Sequence, residues 1–125
     1  MKKVISTDKA PKAIGPYSQA ILAGDFVFIS GQIPVDPESG EVKIDIKEAT
    51  KQVIKNIGAI LEELGLTLDS IVKTTVFLTS MEDFKEFNEA YEAFFKKDPP
   101  ARSTVAVKEL PRGVRLEIEA IAFRG

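Results

Sequence analysis

The stretch IKEATKQVIKNIGAILEEL, residues 46–64, decides how the rest of the chain is read. Ala49, Val53, Ile54, Ile57, Ile60, Leu61 and Leu64 recur at spacings of three and four, so they stripe one side of an α-helix. Asp45, with Glu48 three residues on, has the form of an N-terminal cap with a returning carboxylate. Gly65 follows the last stripe residue, where a left-handed C-terminal cap favours glycine. A helix that is apolar on one side must bury that side against another layer.

The flanking segments supply the layer. IVKTTVFL (71–78) is β-branched and aromatic and reads as a strand. QAILAGDFVFISGQIP (19–34) reads as two strands about a tight turn at Gly24-Asp25. Residues 2–6 form a short edge strand, and DKAPKAIGPYSQ (8–19), with two prolines and a glycine, is an irregular loop. A second helix over 82–96, capped by Ser80 with Asp83, buries Phe84, Phe87, Tyr91, Phe94 and Phe95. It stops before Pro99 and Pro100, which cannot continue it. Strands over about 102–108 and 114–123 close the chain. The order β-β-β-α-β-α-β-β predicts an α+β two-layer sandwich, a mixed β-sheet with two helices packed on one face. No linker or repeat divides residues 1–125, so one domain is expected.

Composition narrows the chemistry. Net charge is −2 and no basic run exists, which disfavours a nucleic-acid partner bound by a broad cationic face. The chain contains no cysteine and no histidine. Disulfides, thiolate nucleophiles, Cys/His zinc sites and Ser-His-Asp chemistry are therefore excluded. No DxDxDG-type loop is present, and no metal is expected. Acid–base work falls to Asp, Glu, Lys, Tyr or bound water. With no apolar leader and no window of 18 apolar residues, the expectation is a cytoplasmic chain without a membrane partner.

Several residues admit both a plain structural reading and a chemical one. Arg102 stands at the mouth of DPPARSTVAV (98–107), on one strand face with Thr104 and Ala106. Alone it reads as a strand-end arginine in solvent; otherwise its planar fork suits a carboxylate. In the last strand Leu116, Ile118 and Ala120 oppose Glu117, Glu119 and Ile121. The glutamates form a solvated face with Arg115 as ion partner, or place a carboxylate near an interface where it handles a proton. That mixed second sheet face suggests contact with another subunit. Tyr17 packs over the core edge or closes a pocket wall. Gly31, after Ser30, marks a bulge or bares an N–H beside a ligand. Asn88, on the helix face of Phe84 and Tyr91, is expected to hydrogen-bond a loop backbone. Lys73 is expected to snorkel at a sheet edge.

The blocks AIGPYSQ (13–19), ISGQIPVDPESGE (29–41), IVKTTVFL (71–78), FNEAYEAFF (87–95), PPARSTVAV (99–107) and EIEAIA (117–122), in that order, closely resemble the RidA/YjgF family of reactive-intermediate deaminases. The resemblance covers essentially the whole chain. It implies a chorismate mutase-like fold, a homotrimer with clefts between subunits, and no cofactor. It implies hydrolysis of small 2-imino acids, 2-iminobutanoate and 2-iminopropanoate, to 2-oxo acids and ammonia. It further implies that Arg102 binds the substrate carboxylate and Glu117 activates water. Tyr17, Ser30, Gly31 and Asn88 then line the pocket, and Thr104 stands where many members have a cysteine. A non-catalytic module binding 2-oxo or imino acids, and an RNA-directed translation inhibitor, are the competing readings.

Overall fold

A computed structural model describes residues 1–125. Its elements are β1 (Lys2–Ile5), β2 (Ala20–Ala23), β3 (Phe26–Gln32), α1 (Ile46–Glu62), β4 (Ile71–Leu78), α2 (Phe84–Glu92), β5 (Ala101–Ala106) and β6 (Leu116–Phe123). All strands join one sheet in the order β1-β2-β3-β6-β4-β5. Every pairing is antiparallel except β4 with β5, which is parallel and bridged by α2. The expected α+β class and mixed sheet with two helices are therefore observed.

Both helices cover one face of this sheet. Ala49, Val53, Ile54, Ile57, Ile60 and Leu61 of α1 are buried. They meet Val27 and Ile29 of β3, Val76 and Leu78 of β4, and Leu116, Ile118, Ala120 and Ala122 of β6 in one apolar core. The α1 ends follow the local chemistry. The Asp45 carboxylate accepts from the Glu48 N–H at 3.1 Å, and Gly65 takes φ +69° while Leu66 N–H reaches back to the Leu61 carbonyl.

The second helix is shorter than the 82–96 expected. Ser80 Oγ accepts from Glu82 N–H, and residues 81–83 form a separate 3₁₀ turn. At the other end Phe94 and Phe95 bond carbonyls three residues back, so the chain tightens and leaves α-geometry. Phe94 is consequently exposed while Phe95 stays buried. Of the closing strands, β5 begins one residue before its expected start and ends two residues early, and β6 begins two residues late and ends at 123 as expected.

Strand order corrects two expectations. Because β4 is paired with β6 on one side and β5 on the other, it is interior, so Lys73 lies on a central strand and not at an edge. Arg115 does not pair with the glutamates. Its guanidinium holds both Asp83 carboxylate oxygens and the Ile44 carbonyl, pinning the start of β6 to the entrances of both helices.

One buried polar side chain ties the loop after β3 to the helix layer. Asn56 is fully buried; its amide donates to the Ile33 and Val35 carbonyls at 3.2 and 3.1 Å and accepts from Gln52. Asn56→Ala strands two carbonyls and should lower stability by about 2–3 kcal/mol. Denaturant unfolding checks this; a loss under about 0.5 kcal/mol would show that water satisfies the loop instead.

Candidate active site

The first cluster forms on the helix side of β5. The parallel register sets Arg102 beside Thr74 and Thr104 beside Val76. Thr74 and Val76 lie under the helices, so Arg102 and Thr104 point to that side too. The guanidinium of Arg102 sits 5.0 Å from the Tyr91 ring centre, 5.4 Å from Phe87 and 5.6 Å from Phe84. It makes no salt bridge within the chain. A cavity of about 500 Å³ opens over it, with Asn88, Phe95, Pro99 and Pro100 among its walls. Asn88 is half-buried there and makes no hydrogen bond to a loop backbone, contrary to expectation. Thr104 Oγ1 is buried without a partner, which leaves one hydroxyl to be satisfied from outside the chain.

The second cluster forms on the opposite, uncovered face. Glu117 pairs with Phe77 and Glu119 with Thr75 across β6 and β4, with side chains away from the helices. Strand β3 carries one extra residue where it passes β6: Ile29 faces Ala120, but Gln32 already faces Ile118. This bulge turns Gly31 toward Glu117. A Cβ at Gly31 would overlap the Glu117 carboxylate, so only glycine lets that carboxylate lie against the backbone. The two chemical readings of Gly31, a bulge and a close approach, are thus one feature. Ser30 Oγ donates to the Ser18 carbonyl at 2.6 Å and ties the bulge to the loop carrying Tyr17. Tyr17 is half-exposed, its hydroxyl accepting from Ile14 N–H, and it shares a small cavity with Gly31 and Arg112. Burial, and secondarily the charge of Glu119, raises the Glu117 carboxyl above its ordinary value.

Within one chain the two clusters do not meet. Arg102 and Glu117 lie on opposite faces, and β4 separates their strands, a lateral offset of roughly 10 Å at ordinary strand spacing. Tyr17, Ser30, Gly31 and Glu117 group together; Asn88, Arg102 and Thr104 group together. The largest concavity, about 640 Å³ between α1 and residues 36–38, contains none of them. Sequence reasoning placed Tyr91 only in the core stripe. Its contact with Arg102 depends on how α2 crosses β5, which no local period reveals.

Residues 7–124 match the family model described as Endoribonuclease L-PSP. The chain belongs to the RidA/YjgF family. A RutC family protein of Pyrococcus abyssi is 57% identical, covering 98% of both chains. The human 2-iminobutanoate/2-iminopropanoate deaminase is 49% identical, covering 100% of this chain and 92% of its own. The crystal structure of E. coli TdcF with bound serine superposes with a TM-score of 0.94 at 46% identity, covering 98% of this chain and 99% of that one. RidA/YjgF relatives thus span both a specific deaminase name and the broader family name alone.

The raised Glu117 carboxyl predicts a pH signature. Its folded pKa lies above the unfolded value near 4.5, so the folded chain binds the proton more tightly. Its stabilising contribution is complete below that value and is lost as pH rises through the folded pKa. Glu117→Gln should therefore melt at a higher temperature than wild type at neutral pH, the gap closing below pH 4.5. Parallel melting curves at every pH would contradict the burial argument.

Proposed function

We propose that this RidA/YjgF protein hydrolyses small 2-imino acids, 2-iminobutanoate and 2-iminopropanoate, to 2-oxo acids and ammonia without a cofactor. The observation that carries the reading is Arg102: a permanent cation on an aromatic bed, unpaired within the chain and facing a cavity. Such a group is suited to a small carboxylate. The deaminase name of the human relative, and the serine bound by TdcF, support a ligand of that class.

Arg102 would grip the substrate carboxylate through its two-pronged fork, fixing the C=N carbon and excluding water from its anionic end. Asn88 and Thr104 offer further polar contacts from the same side. Glu117, in its ionised form, would take a proton from water as the oxygen adds to the carbon of the protonated imine. That forms the C–O bond and a carbinolamine. Glu117 then returns that proton to nitrogen and, free again as a carboxylate, takes the hydroxyl proton as the C=O forms and the C–N bond breaks, releasing ammonia and leaving the 2-oxo acid. Tyr17, Ser30 and Gly31 would wall this side. A general base of this kind contributes roughly 10²–10⁴-fold.

Because the two clusters lie on opposite faces, one substrate reaches both only if each comes from a different copy. We place the site between subunits of a homotrimer packed through the open sheet face, where Phe26, Phe28, Phe123 and Val105 are exposed. A nuclease role fits the charge less well: net charge is −2, and phosphate binding draws on clustered cations.

Ammonia release from 2-iminobutanoate generated in situ tests the reading. Wild type should accelerate decay, and Arg102→Lys should lose at least about tenfold in kcat/KM, since a point charge cannot replace the fork. Glu117→Gln should keep 2-oxobutanoate binding and lose turnover; if both persist, the protein is a deaminase that works without this carboxylate. Wild-type turnover should fall as pH drops through the raised Glu117 pKa. Randomly mixed Arg102→Ala and Glu117→Gln subunits should recover about a quarter of wild-type activity if each site joins two neighbours in a ring of three. No recovery after verified exchange would refute the shared site.

A further inference from the structure

Arg102 is held without an acidic partner, and what holds it is specific. Three rings surround the guanidinium at 5.0 to 5.6 Å, each within cation–π range. Tyr91, the nearest, is itself fixed: its hydroxyl shares a 2.7 Å hydrogen bond with Thr74 Oγ1, and both residues are buried. The Tyr91 ring packs between Phe87 at 5.2 Å and Phe95 at 4.6 Å. Thr74 is also the residue beside Arg102 in the β4–β5 register. One strand pair therefore carries both the arginine and the hydroxyl that locks the ring beneath it.

An acidic neighbour would orient the arginine equally well, but it would spend the charge and occupy the fork. Aromatic faces orient a guanidinium while leaving its N–H edges free. We infer that Tyr91, locked by Thr74, and Phe84 are positioning residues that fix the plane of Arg102, so that its fork meets a small carboxylate already aimed. Its effect on substrate rests on the deaminase reading above; the bed itself does not.

Two readouts separate these claims. Arginine side-chain NMR, with Arg102 assigned through Arg102→Lys, reports the bed directly. In wild type the Arg102 signals should be shifted by ring currents and its guanidinium should rotate slowly. Tyr91→Phe keeps the ring but loses its bond to Thr74, so the ring-current shifts should persist while the guanidinium rotates faster; Tyr91→Leu should lose both signatures. In kinetics on 2-iminobutanoate, Tyr91→Leu should raise KM roughly tenfold with kcat within about twofold. Mere loss of folded enzyme would instead lower kcat at constant KM. Should Tyr91→Leu not fold, Phe84→Leu, at the half-buried ring, should move the same signals and raise KM by about threefold. Unchanged Arg102 signals in the leucine variants, or identical KM in Tyr91→Phe and Tyr91→Leu, would overturn the inference. Absence of wild-type turnover would sink the deaminase reading, while the NMR comparison still decides whether the rings hold Arg102.

Discussion

Strand β6 runs down the middle of the sheet, hydrogen-bonded to β3 on one side and β4 on the other, and its side chains cannot choose faces independently. Leu116, Ile118, Ala120 and Ala122 are buried beneath the helices, which forces Glu117, Glu119 and Ile121 to the opposite side. A slip of one residue would drive two glutamates into the core, so the register is held firmly. Arg115 adds a second clamp at the start of the strand through Asp83 and the Ile44 carbonyl. The position of the Glu117 carboxylate is thus a consequence of core packing.

The same rule, applied to β5, sends Arg102 the other way. Its parallel pairing with β4 sets it level with Thr74 on the helix face, where α2 supplies three aromatic rings. The layer that makes the core therefore also makes a bed for a cation. The opposite face has no helices and keeps Phe26, Phe28 and Phe123 exposed, with Phe26 and Phe123 in ring contact at 5.1 Å. Two strands, separated by β4, that put a fixed cation and a perturbed carboxylate on opposite faces cannot present both to one small molecule. In the function proposed, association of chains resolves that separation, and the apolar open face supplies its driving force.

The bulge in β3 shows how a small backbone irregularity serves the site. One extra residue between Ile29 and Gln32 brings Gly31 over Glu117, where any larger residue would displace the carboxylate. It also draws Ser30 onto the loop bearing Tyr17. Glu117 is left partly desolvated beside a like charge, and its proton affinity rises accordingly.

What the sequence by itself determined is whatever depends on local period and local chemistry. The α1 stripe, its Asp45 and Gly65 caps, the Gly24 turn and the alternation of β5 and β6 are all legible, because side chains a few residues apart set them. Family resemblance added candidate site residues on the same local blocks. Only the tertiary structure decided that β6 inserts between β3 and β4, that β4, flanked by β6 and β5, holds Lys73 in the interior of the sheet, and that Arg115 belongs to Asp83. It alone put Tyr91 beneath Arg102 and set Arg102 and Glu117 on opposite faces of the sheet. The physical reason is separation along the chain. Strand order and cross-element contacts join residues tens of positions apart, and the burial energy that selects them belongs to the whole core and to no single segment.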